Sequence, residues 1–352
     1  MSPDTKKTRQ GEELNEANLQ TFLRDNLGAG VDKIEISQFP AGSSNLTYCV
    51  KIGGEEYVLR RPPFGNTVKS AHDMKREFVV LSKLTDVYQP APKPLIFCAD
   101  ETIIGSEFYL MERRNGLIIR GVSPESLEKS KELQITVCET FIENLVNFHA
   151  LDYQKIGLGD LGKPAGYAQR QVEGWTKRYF NAKTDEHIEL EKSIEWLNRN
   201  IPNESGATLV HNDYKFDNVM LNPDDLTEIT AVLDWEMTTV GDPLMDLGTT
   251  LGYWMSKDSG AELLSMPFNP RVLMENISRR ELVEMYAEKS GRDVSEMLFY
   301  YAFGTFKIAV IAQQIYARFV NGFTKDNRFA TFNHFVNALG KIAANSIEKG
   351  RL

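Results

Sequence analysis

One stretch of this 352-residue chain, residues 209–248, constrains its fold and chemistry more than any other. Eight consecutive residues of this stretch, directly after a short apolar run, contain four polar side chains: His211, Asp213, Lys215 and Asn218. Asp234 then follows a second apolar run at residues 229–233. A carboxylate beside an apolar strand costs free energy unless it is paired or used, and catalytic side chains are commonly displayed in loops at strand ends. The stretch therefore predicts a catalytic site.

The spacing of these side chains suits phosphoryl transfer. Asp213 and Asn218 are five positions apart with Lys215 between them, and the catalytic loop of protein kinases has an Asp and an Asn at that spacing. There the Asp accepts the proton of the attacking hydroxyl and the Asn holds a magnesium ion. Mg²⁺ takes oxygen ligands and completes its shell with water and phosphate, so we expect Asn218 and Asp234 to bind it. Asp213 would be the catalytic residue, and Lys215 would neutralise charge on the transferred phosphoryl group.

The full set of motifs resembles a known group of enzymes. HxDxxxxN at residues 211–218, an Asp-Trp pair at 234–235 and GDPxxDxG at 241–248 are similar to those of the aminoglycoside phosphotransferase and choline kinase superfamily. Within it, the chain most resembles the kinase-like domains related to those fused to acyl-CoA dehydrogenases. The resemblance extends over roughly residues 30–330.

The resemblance implies a protein-kinase-like, two-lobed α+β fold with a small β-rich N-terminal lobe and a larger helical C-terminal lobe. It implies an enzyme, a small-molecule kinase that uses ATP and Mg²⁺ to phosphorylate a hydroxyl group. His211 would then position the catalytic loop and Asp246 would brace it by hydrogen bonds, although Gly-Asp-Pro and Asp246 also suit an ordinary turn and helix cap. One departure is Asn212, where the family usually has Gly; because this is a backbone position, we expect little chemical consequence.

Small residues between two predicted strands, 34–39 and 46–52, form the loop PAGSSN at residues 40–45. Such residues let backbone amides approach an anion closely, although a plain hairpin turn fits the pattern as well. The loop is not a Walker motif, because GxxxxGK[ST] is absent. By resemblance, its later residues would cover the phosphates of ATP: Gly42, Ser43, Ser44 and Asn45.

The strand predicted at residues 57–61 would hold the nucleotide, again by resemblance. Val58 would line the adenine, and Arg60 stands where kinases have a Lys. Arg and Lys are not interchangeable at a phosphate site, and Arg60 could instead be an exposed basic edge. Glu77 lies on the apolar face of the next predicted helix and needs a partner. Arg60 would supply it, as in the kinase strand–helix ion pair, unless Glu77 reaches solvent.

Patterning divides the chain into a flexible N-terminus (1–13), an ATP-binding lobe (14–112) and a helical lobe with the catalytic loop and acceptor site (113–352). Met111 and Glu112 end an apolar strand that runs into a polar connector. Kinases join their lobes in this way, and the resemblance implies that backbone groups there contact the adenine edge.

The acceptor region is predicted on the helix that starts at Tyr167. Residues at i, i+4 and i+8 either wall an acceptor pocket or belong to the core: Tyr167, Gln171 and Trp175. Arg170 and two further basic residues on this helix favour an anionic or acyl acceptor, such as a hydroxyacyl-CoA, over a cationic aminoglycoside. Arginines on a helix are also commonly just solvated.

Composition excludes several other classes of protein. A hydrophobic content of 42% and a charged content of 25% are typical of a soluble globular protein, and a net charge of −9 argues against nucleic-acid binding. Three widely spaced cysteines indicate reduced thiols in a cytoplasmic protein. The N-terminus lacks the apolar core of a signal peptide. Residues 298–320 are apolar but interrupted by Lys307, two glutamines and Arg318, which favours a buried helix over a membrane span.

Two alternative functions remain open from the sequence. Arg60 in place of Lys suits a nucleotide-binding pseudokinase with little phosphotransfer. A metal-dependent hydrolase would use His211, Asp213 and Asp234, but no second histidine or carboxylate lies at a suitable local spacing.

Overall fold

A computed structural model describes most of the chain: residues 4–28, 33–40, 45–64, 73–120, 122–255, 259, 261–264, 269–324 and 326–352. The chain divides into two compact units. The N-terminal unit contains Met1–Asn115 and the later segment Ala231–Glu236, and the C-terminal unit contains Gly116–Thr230 and Met237–Leu352. The sequence patterns gave no sign that the short segment containing Asp234 would belong to the N-terminal unit.

In its described residues, the N-terminal unit has a five-stranded antiparallel sheet and two α-helices. In chain order its elements are α1 (Glu16–Leu27), β1 (Ile34–Gln38), β2 (Leu46–Ile52), β3 (Glu55–Arg61), α2 (Met74–Leu84), β4 (Pro94–Cys98) and β5 (Phe108–Glu112). The strand order is β1-β2-β3-β5-β4, so β3 is central. It pairs with β2 on one side, and on the other side Val58 lies opposite Met111 and Arg60 opposite Tyr109. This central position explains why the C-terminal half of β3 is buried, including the charged Arg60.

Helix α2 presents an apolar face that includes one carboxylate. Asp73 caps its start by accepting a hydrogen bond from the backbone N–H of Arg76 at 2.8 Å. Its buried residues recur at helical spacing: Met74, Glu77, Val80, Leu81 and Leu84. The helix therefore carries Glu77 into the interior of the unit.

The polar segment before α1 is attached to the sheet, whereas its composition favoured a flexible segment. Lys6 forms an antiparallel bridge with Gln38, and the backbone N–H of Arg9 donates to the Gln38 side chain at 2.9 Å. The Tyr48 hydroxyl donates to the backbone carbonyl of Glu12 at 2.7 Å. These contacts link residues 6–12 to β1 and β2.

The C-terminal unit is mostly helical, with short strands around the predicted catalytic stretch. Its elements are α3 (Glu125–Lys129), α4 (Lys131–His149), α5 (Tyr167–Ala182), α6 (Ile188–Arg199), β6 (Thr208–Val210), β7 (Val219–Leu221), β8 (Ile229–Val232), β9 (Thr239–Gly241), α7 (Pro243–Tyr253), α8 (Ala261–Leu264), α9 (Arg271–Asn276), α10 (Arg279–Ser290), α11 (Met297–Val320) and α12 (Phe332–Lys349). β6 pairs with β9 and β7 with β8. The last two residues of β8 already belong to the N-terminal unit. With the antiparallel sheet of the N-terminal unit, this gives the α+β class that the sequence predicted.

Two helices form the centre of this unit. Every residue of α7 is buried, and α11 packs against α7, α12, α5 and α6. Within the described part of the chain, no helix is both long enough and apolar enough to cross a membrane.

The α7–α11 crossing depends on two glycines. A β-carbon on Gly304 would overlap the backbone carbonyl of Gly248, and one on Gly248 would overlap the carbonyl of Tyr300. The backbones therefore approach more closely than any side chain permits, and this sets how α11 lies against α7.

We expect Gly304→Ala to lower the free energy of unfolding by about 1–3 kcal/mol, because the added methyl group forces two packed backbones apart. Gly174→Ala is the matched control. Gly174 lies inside α5 with open space around its Cα, so alanine there should stabilise the helix by about 0.5–1 kcal/mol. Urea unfolding of both variants measures the difference, and equal effects would contradict the packing argument.

Candidate active site

Arg60 is the centre of a charged cluster in the N-terminal unit, named here the Arg60 cluster: Asn45, Arg60, Glu77, Tyr109, Asp234 and Glu236. Arg60 is 8% exposed. Its Nη1 lies 3.2 Å from Glu77 Oε1, and its Nη2 lies 3.1 Å from Asp234 Oδ1 and 3.7 Å from Glu236 Oε2. A guanidinium can face several carboxylates at once because its donors form a planar fork, which a lysine ammonium cannot reproduce. The predicted Arg60–Glu77 pair is thus present and extends to two further carboxylates.

Glu77 is the most deeply buried carboxylate of the cluster, at 1% exposure. Burial raises its pKa, and the positive charge of Arg60 opposes that rise. The Tyr109 hydroxyl lies against the carboxylate but makes no hydrogen bond of good geometry. Arg60 is therefore the principal group that compensates the charge of Glu77.

Asp234 follows β8 with a left-handed backbone, at φ 67°. Asp tolerates this region better than most residues. Its side chain is 33% exposed, and Oδ1 accepts a hydrogen bond from Arg60 at 3.1 Å. No hydrogen bond to Oδ2 occurs within the described residues, so one carboxylate oxygen is available as a metal ligand.

Glu236 is a member of the cluster that the sequence reasoning missed. Its Oε2 accepts a hydrogen bond from Asn45 Nδ2 at 2.5 Å, which brings the last residue of the predicted phosphate loop into the cluster. The remaining loop residues, Gly42, Ser43 and Ser44, lie outside the described residues. The signal for Glu236 was its position two residues after Asp234, on the same short turn.

The residues predicted to line the adenine lie on the central strands. Val58 and Met111 are buried opposite each other in the sheet. The backbone N–H of Glu112 donates to the Lys93 carbonyl at 2.9 Å, so this donor is engaged within the sheet. Contact with a nucleotide stays a prediction for all three.

In the C-terminal unit, the short-range motif of the sequence forms one hydrogen-bonded group. Asp213 Oδ2 accepts hydrogen bonds from Lys215 Nζ and, at 2.8 Å, from Asn218 Nδ2. Asn218 Nδ2 also donates to the backbone carbonyl of Asp213 at 2.9 Å. Both donations come from the amide nitrogen, and within the described residues no hydrogen bond reaches Asn218 Oδ1. An amide oxygen is a suitable Mg²⁺ ligand.

A third hydrogen-bond donor reaches the other oxygen of the Asp213 carboxylate. The Tyr253 hydroxyl, at the end of α7, donates to Asp213 Oδ1 at 2.9 Å. Burial raises the pKa of Asp213, but the interactions with Lys215, His211 and Lys307 lower it by more. The pKa therefore lies below its usual value. Asp213 is therefore an anion at neutral pH, as a group that accepts a proton must be.

A second carboxylate fixes the backbone that carries Asp213. Asp246 on α7 is fully buried and accepts the backbone N–H of His211 at 2.6 Å and that of Asn212 at 2.7 Å. The next N–H, of Asp213, donates to His211 Nδ1 at 3.3 Å. These are the contacts of a brace, the role that the resemblance implies for His211 and Asp246.

Behind Asp246 lies a buried histidine. His149 Nε2 is 3.2 Å from Asp246 Oδ2, and His149 Nδ1 is 2.8 Å from the Tyr286 hydroxyl. Burial raises the pKa of Asp246, but its hydrogen bond with His149 and its electrostatic interactions with His149 and His211 hold it below its usual value. The carboxylate therefore stays ionised in the interior.

Asn212, at the position where the resemblance implies Gly, does more than replace a backbone residue. Its φ is 66°, in the left-handed region that Gly and Asn tolerate. Its side chain accepts from the Tyr167 hydroxyl at 3.1 Å and donates to the Met237 carbonyl at 3.1 Å. The expectation of little chemical consequence overlooked these two hydrogen bonds.

The predicted acceptor residues have other contacts. Tyr167 is 4% exposed, and its ring packs on Gly241. The Arg170 guanidinium donates to the carbonyls of Lys163 and Ala165 before α5. Trp175 is 4% exposed and hydrogen-bonds Gln171. These contacts favour a structural reading of Tyr167 and Arg170, and an acceptor role stays a prediction for all three.

Comparison with known proteins finds relatives over most of the chain. The model of the phosphotransferase enzyme family (APH) matches residues 35–268. Human acyl-CoA dehydrogenase family member 11 is 33% identical over 92% of the chain, and mouse acyl-CoA dehydrogenase family member 10 is 33% identical over 91%. The chain spans 42% and 30% of the lengths of these relatives.

Solved structures agree as well. A proposed aminoglycoside phosphotransferase from Ralstonia eutropha JMP134 superposes with a TM-score of 0.77 at 28% identity, covering 96% of this chain and 99% of that one. Choline kinase from Cryptosporidium parvum Iowa II has a TM-score of 0.60 at 13% identity, covering 94% and 96%. The second likeness shows the fold alone and confirms the predicted kinase-like α+β class. The chain therefore belongs to the phosphotransferase enzyme family.

Proposed function

We propose that this protein is a phosphotransferase that uses ATP and Mg²⁺ to phosphorylate a hydroxyl group of a small molecule. The observation that carries the proposal is the Asp213 carboxylate, held by Lys215, Asn218 and Tyr253 with its pKa below the usual value. A fixed, ionised carboxylate beside an ammonium suits both orientation of a hydroxyl and acceptance of its proton. Family membership supports the same class of reaction.

In this proposal Asp213 orients the acceptor hydroxyl and takes its proton as the oxygen attacks the γ-phosphorus. The new O–P bond forms while the bond to the β-phosphate oxygen breaks, and ADP leaves. Lys215 offsets negative charge on the transferred group. Positioning and charge neutralisation supply most of the catalysis in such reactions.

The Arg60 cluster is the proposed site for the nucleotide phosphates. Arg60 is the cation that would contact them, and Glu77 fixes its guanidinium at 3.2 Å. Asn218 and Asp234 are the proposed magnesium ligands, since each has a side-chain oxygen without a hydrogen bond in the described chain. Mg²⁺ bound there would neutralise charge on the phosphates. A ternary complex of the related fold APH(4)-Ia with AMP-PNP and hygromycin B supports ATP as donor.

The proposed acceptor is a hydroxylated anionic or acyl compound such as a hydroxyacyl-CoA. Two relatives with which the chain shares a third of its residues are named for acyl-CoA dehydrogenation. The proposed location is the cytoplasm, in keeping with three free, buried cysteines.

The first test concerns the proposed base. We expect Asp213→Asn to lower kcat about 1,000-fold while the Kd for MgATP changes less than threefold, because proton acceptance is lost and nucleotide contacts remain. Phosphotransfer can be screened with ATP against hydroxylated metabolites, aminoglycosides and hydroxyacyl-CoA thioesters, and nucleotide binding measured by calorimetry.

Asp224→Asn is the matched control, an exposed aspartate in the loop between β7 and β8. It should behave as the wild type. Full activity of Asp213→Asn would refute the assignment of the base. MgATP binding without turnover for any acceptor would indicate a pseudokinase, and phosphate release from an ester without nucleotide would indicate a hydrolase.

A second test separates the two roles of Arg60. We expect Arg60→Met to lower the free energy of unfolding by about 3–5 kcal/mol at pH 7, because Glu77 is left buried without a counter-charge. The loss should shrink as the pH falls. The pKa of Glu77 is already raised by burial, so an unpaired Glu77 takes up a proton as the pH falls and its charge disappears.

The double variant Arg60→Met/Glu77→Leu should recover most of the stability but bind MgATP at least tenfold more weakly than the wild type, since the guanidinium is absent. Urea unfolding and calorimetry measure the two quantities. Wild-type affinity in the double variant would show that Arg60 serves only as a counter-ion for Glu77.

A further inference from the structure

Lys307 is a buried cation in an otherwise apolar part of α11. It is 2% exposed, and its neighbours Phe306 and Ile308 are buried hydrophobic residues. An ammonium group in such a place costs free energy unless its charge and its hydrogen bonds are compensated. A methionine would fill the same volume without that cost, so the position calls for a reason to hold a charge.

The ammonium of Lys307 contacts a backbone carbonyl next to the proposed base rather than a carboxylate. Lys307 Nζ donates to the backbone carbonyl of Asn212 at 2.6 Å and lies 5.6 Å from the centre of the Trp175 ring. That carbonyl belongs to the peptide group joining Asn212 to Asp213, and the N–H of the same peptide donates to His211 Nδ1. The peptide plane next to the proposed base is thus held on both sides.

The charge of Lys307 also acts on the proposed base. Asp213 and Asp246 attract the ammonium, and Lys307 is one of the groups that hold the pKa of Asp213 below its usual value. Burial lowers the pKa of Lys307 itself to about 8, and Lys215 and Arg178 add to that effect. Asp213 and Lys215 lie between β6 and β7, Asp246 lies on α7 and Arg178 lies on α5. The helices α6 and α12, which also pack on α11, contribute none of these charges.

We infer that Lys307 is a positioning residue for phosphotransfer: from α11 its ammonium group holds the Asn212–Asp213 peptide beside the proposed base. The inference rests on the proposed function, in which Asp213 is the base. A displacement of the reacting group by about 1 Å lowers a rate about 100-fold. Lys307 holds the peptide next to Asp213 through a hydrogen bond of 2.6 Å, so losing this contact should change the rate even though Lys307 does not touch the substrate.

The test compares Lys307→Met with Lys341→Met, which removes an exposed lysine from α12. Lys307→Met should lower kcat about 100-fold while the Kd for MgATP stays within threefold. Hydrogen exchange of the Asp213 amide should accelerate about tenfold, the effect expected from loss of one hydrogen bond to a charged group. Lys341→Met should match the wild type in all three measurements.

A pH profile separates the charge from packing. As the pH rises through about 8, Lys307 loses its proton and the wild-type kcat should fall. Lys307→Arg keeps its charge over this range, so the fall should be absent in that variant even if its kcat is lower. This measurement does not depend on whether Lys307→Met folds.

The outcomes are distinct. A folded Lys307→Met variant with wild-type kcat and amide exchange would overturn the inference, as would a wild-type kcat that stays constant from pH 7 to pH 9.5. A fall in kcat that persists unchanged in Lys307→Arg would also overturn it. If the wild type turns over neither ATP nor any acceptor, the proposed function fails, and the amide-exchange comparison still decides whether Lys307 holds the peptide.

Discussion

The arrangement of the C-terminal unit depends on how one buried carboxylate is satisfied. Asp246 has no exposed surface, yet it remains ionised. An isolated carboxylate in that position would cost several kcal/mol. Two consecutive backbone N–H groups and His149 compensate its charge. The donors are the backbone amides of His211 and Asn212, so burying this charge also fixes the conformation of the loop. Asp213 follows immediately in the chain. The same hydrogen bonds that compensate the charge of Asp246 also fix the position of the proposed base.

In the N-terminal unit the buried group is a cation and its partners are anions, the reverse of Asp246. There the Arg60 guanidinium faces three carboxylates. Arg60 satisfies Glu77 with one nitrogen while its other terminal nitrogen faces Asp234 and Glu236. Glu77 is buried, whereas Asp234 keeps a third of its side chain exposed. This arrangement pairs Arg60 with one buried carboxylate and with two partly exposed ones. It gives a physical reason for Arg at a position where kinases use Lys: a planar fork can hold the inner carboxylate and still reach the outer ones.

What the sequence could predict depended on how far apart the interacting residues are in the chain. Asp213, Lys215 and Asn218 lie within six positions, so their spacing alone indicated a joint role, and they form one hydrogen-bonded group. Tyr253 reaches the same carboxylate from 40 positions away and Lys307 reaches the loop from 95 positions away. No local pattern encodes such approaches. They follow from the packing of α7 against α11, which rests on two glycines within apolar helices.

The sequence also could not show what the residues of α5 contact. Helical spacing correctly gave Tyr167 and Trp175 a common face, but periodicity cannot tell whether that face borders a cavity or another element. The structure packs both rings inside, with the Tyr167 hydroxyl on Asn212. For the N-terminal unit, alternation located all five strands, while the membership of Ala231–Glu236 in that unit required the tertiary structure.

Asn212 forms hydrogen bonds with residues of α5, α7 and α11. A glycine there would adopt the left-handed backbone at little steric cost, but it would make no side-chain hydrogen bond and would lose more conformational freedom on folding than any other residue. Asparagine accepts the same φ and adds two side-chain hydrogen bonds, one to α5 and one to the segment before β9. With Asp246 on its N–H and Lys307 on its carbonyl, every polar group of Asn212 is engaged. The residue that departs from the family pattern is therefore the one through which α5, α7 and α11 all act on the position of Asp213.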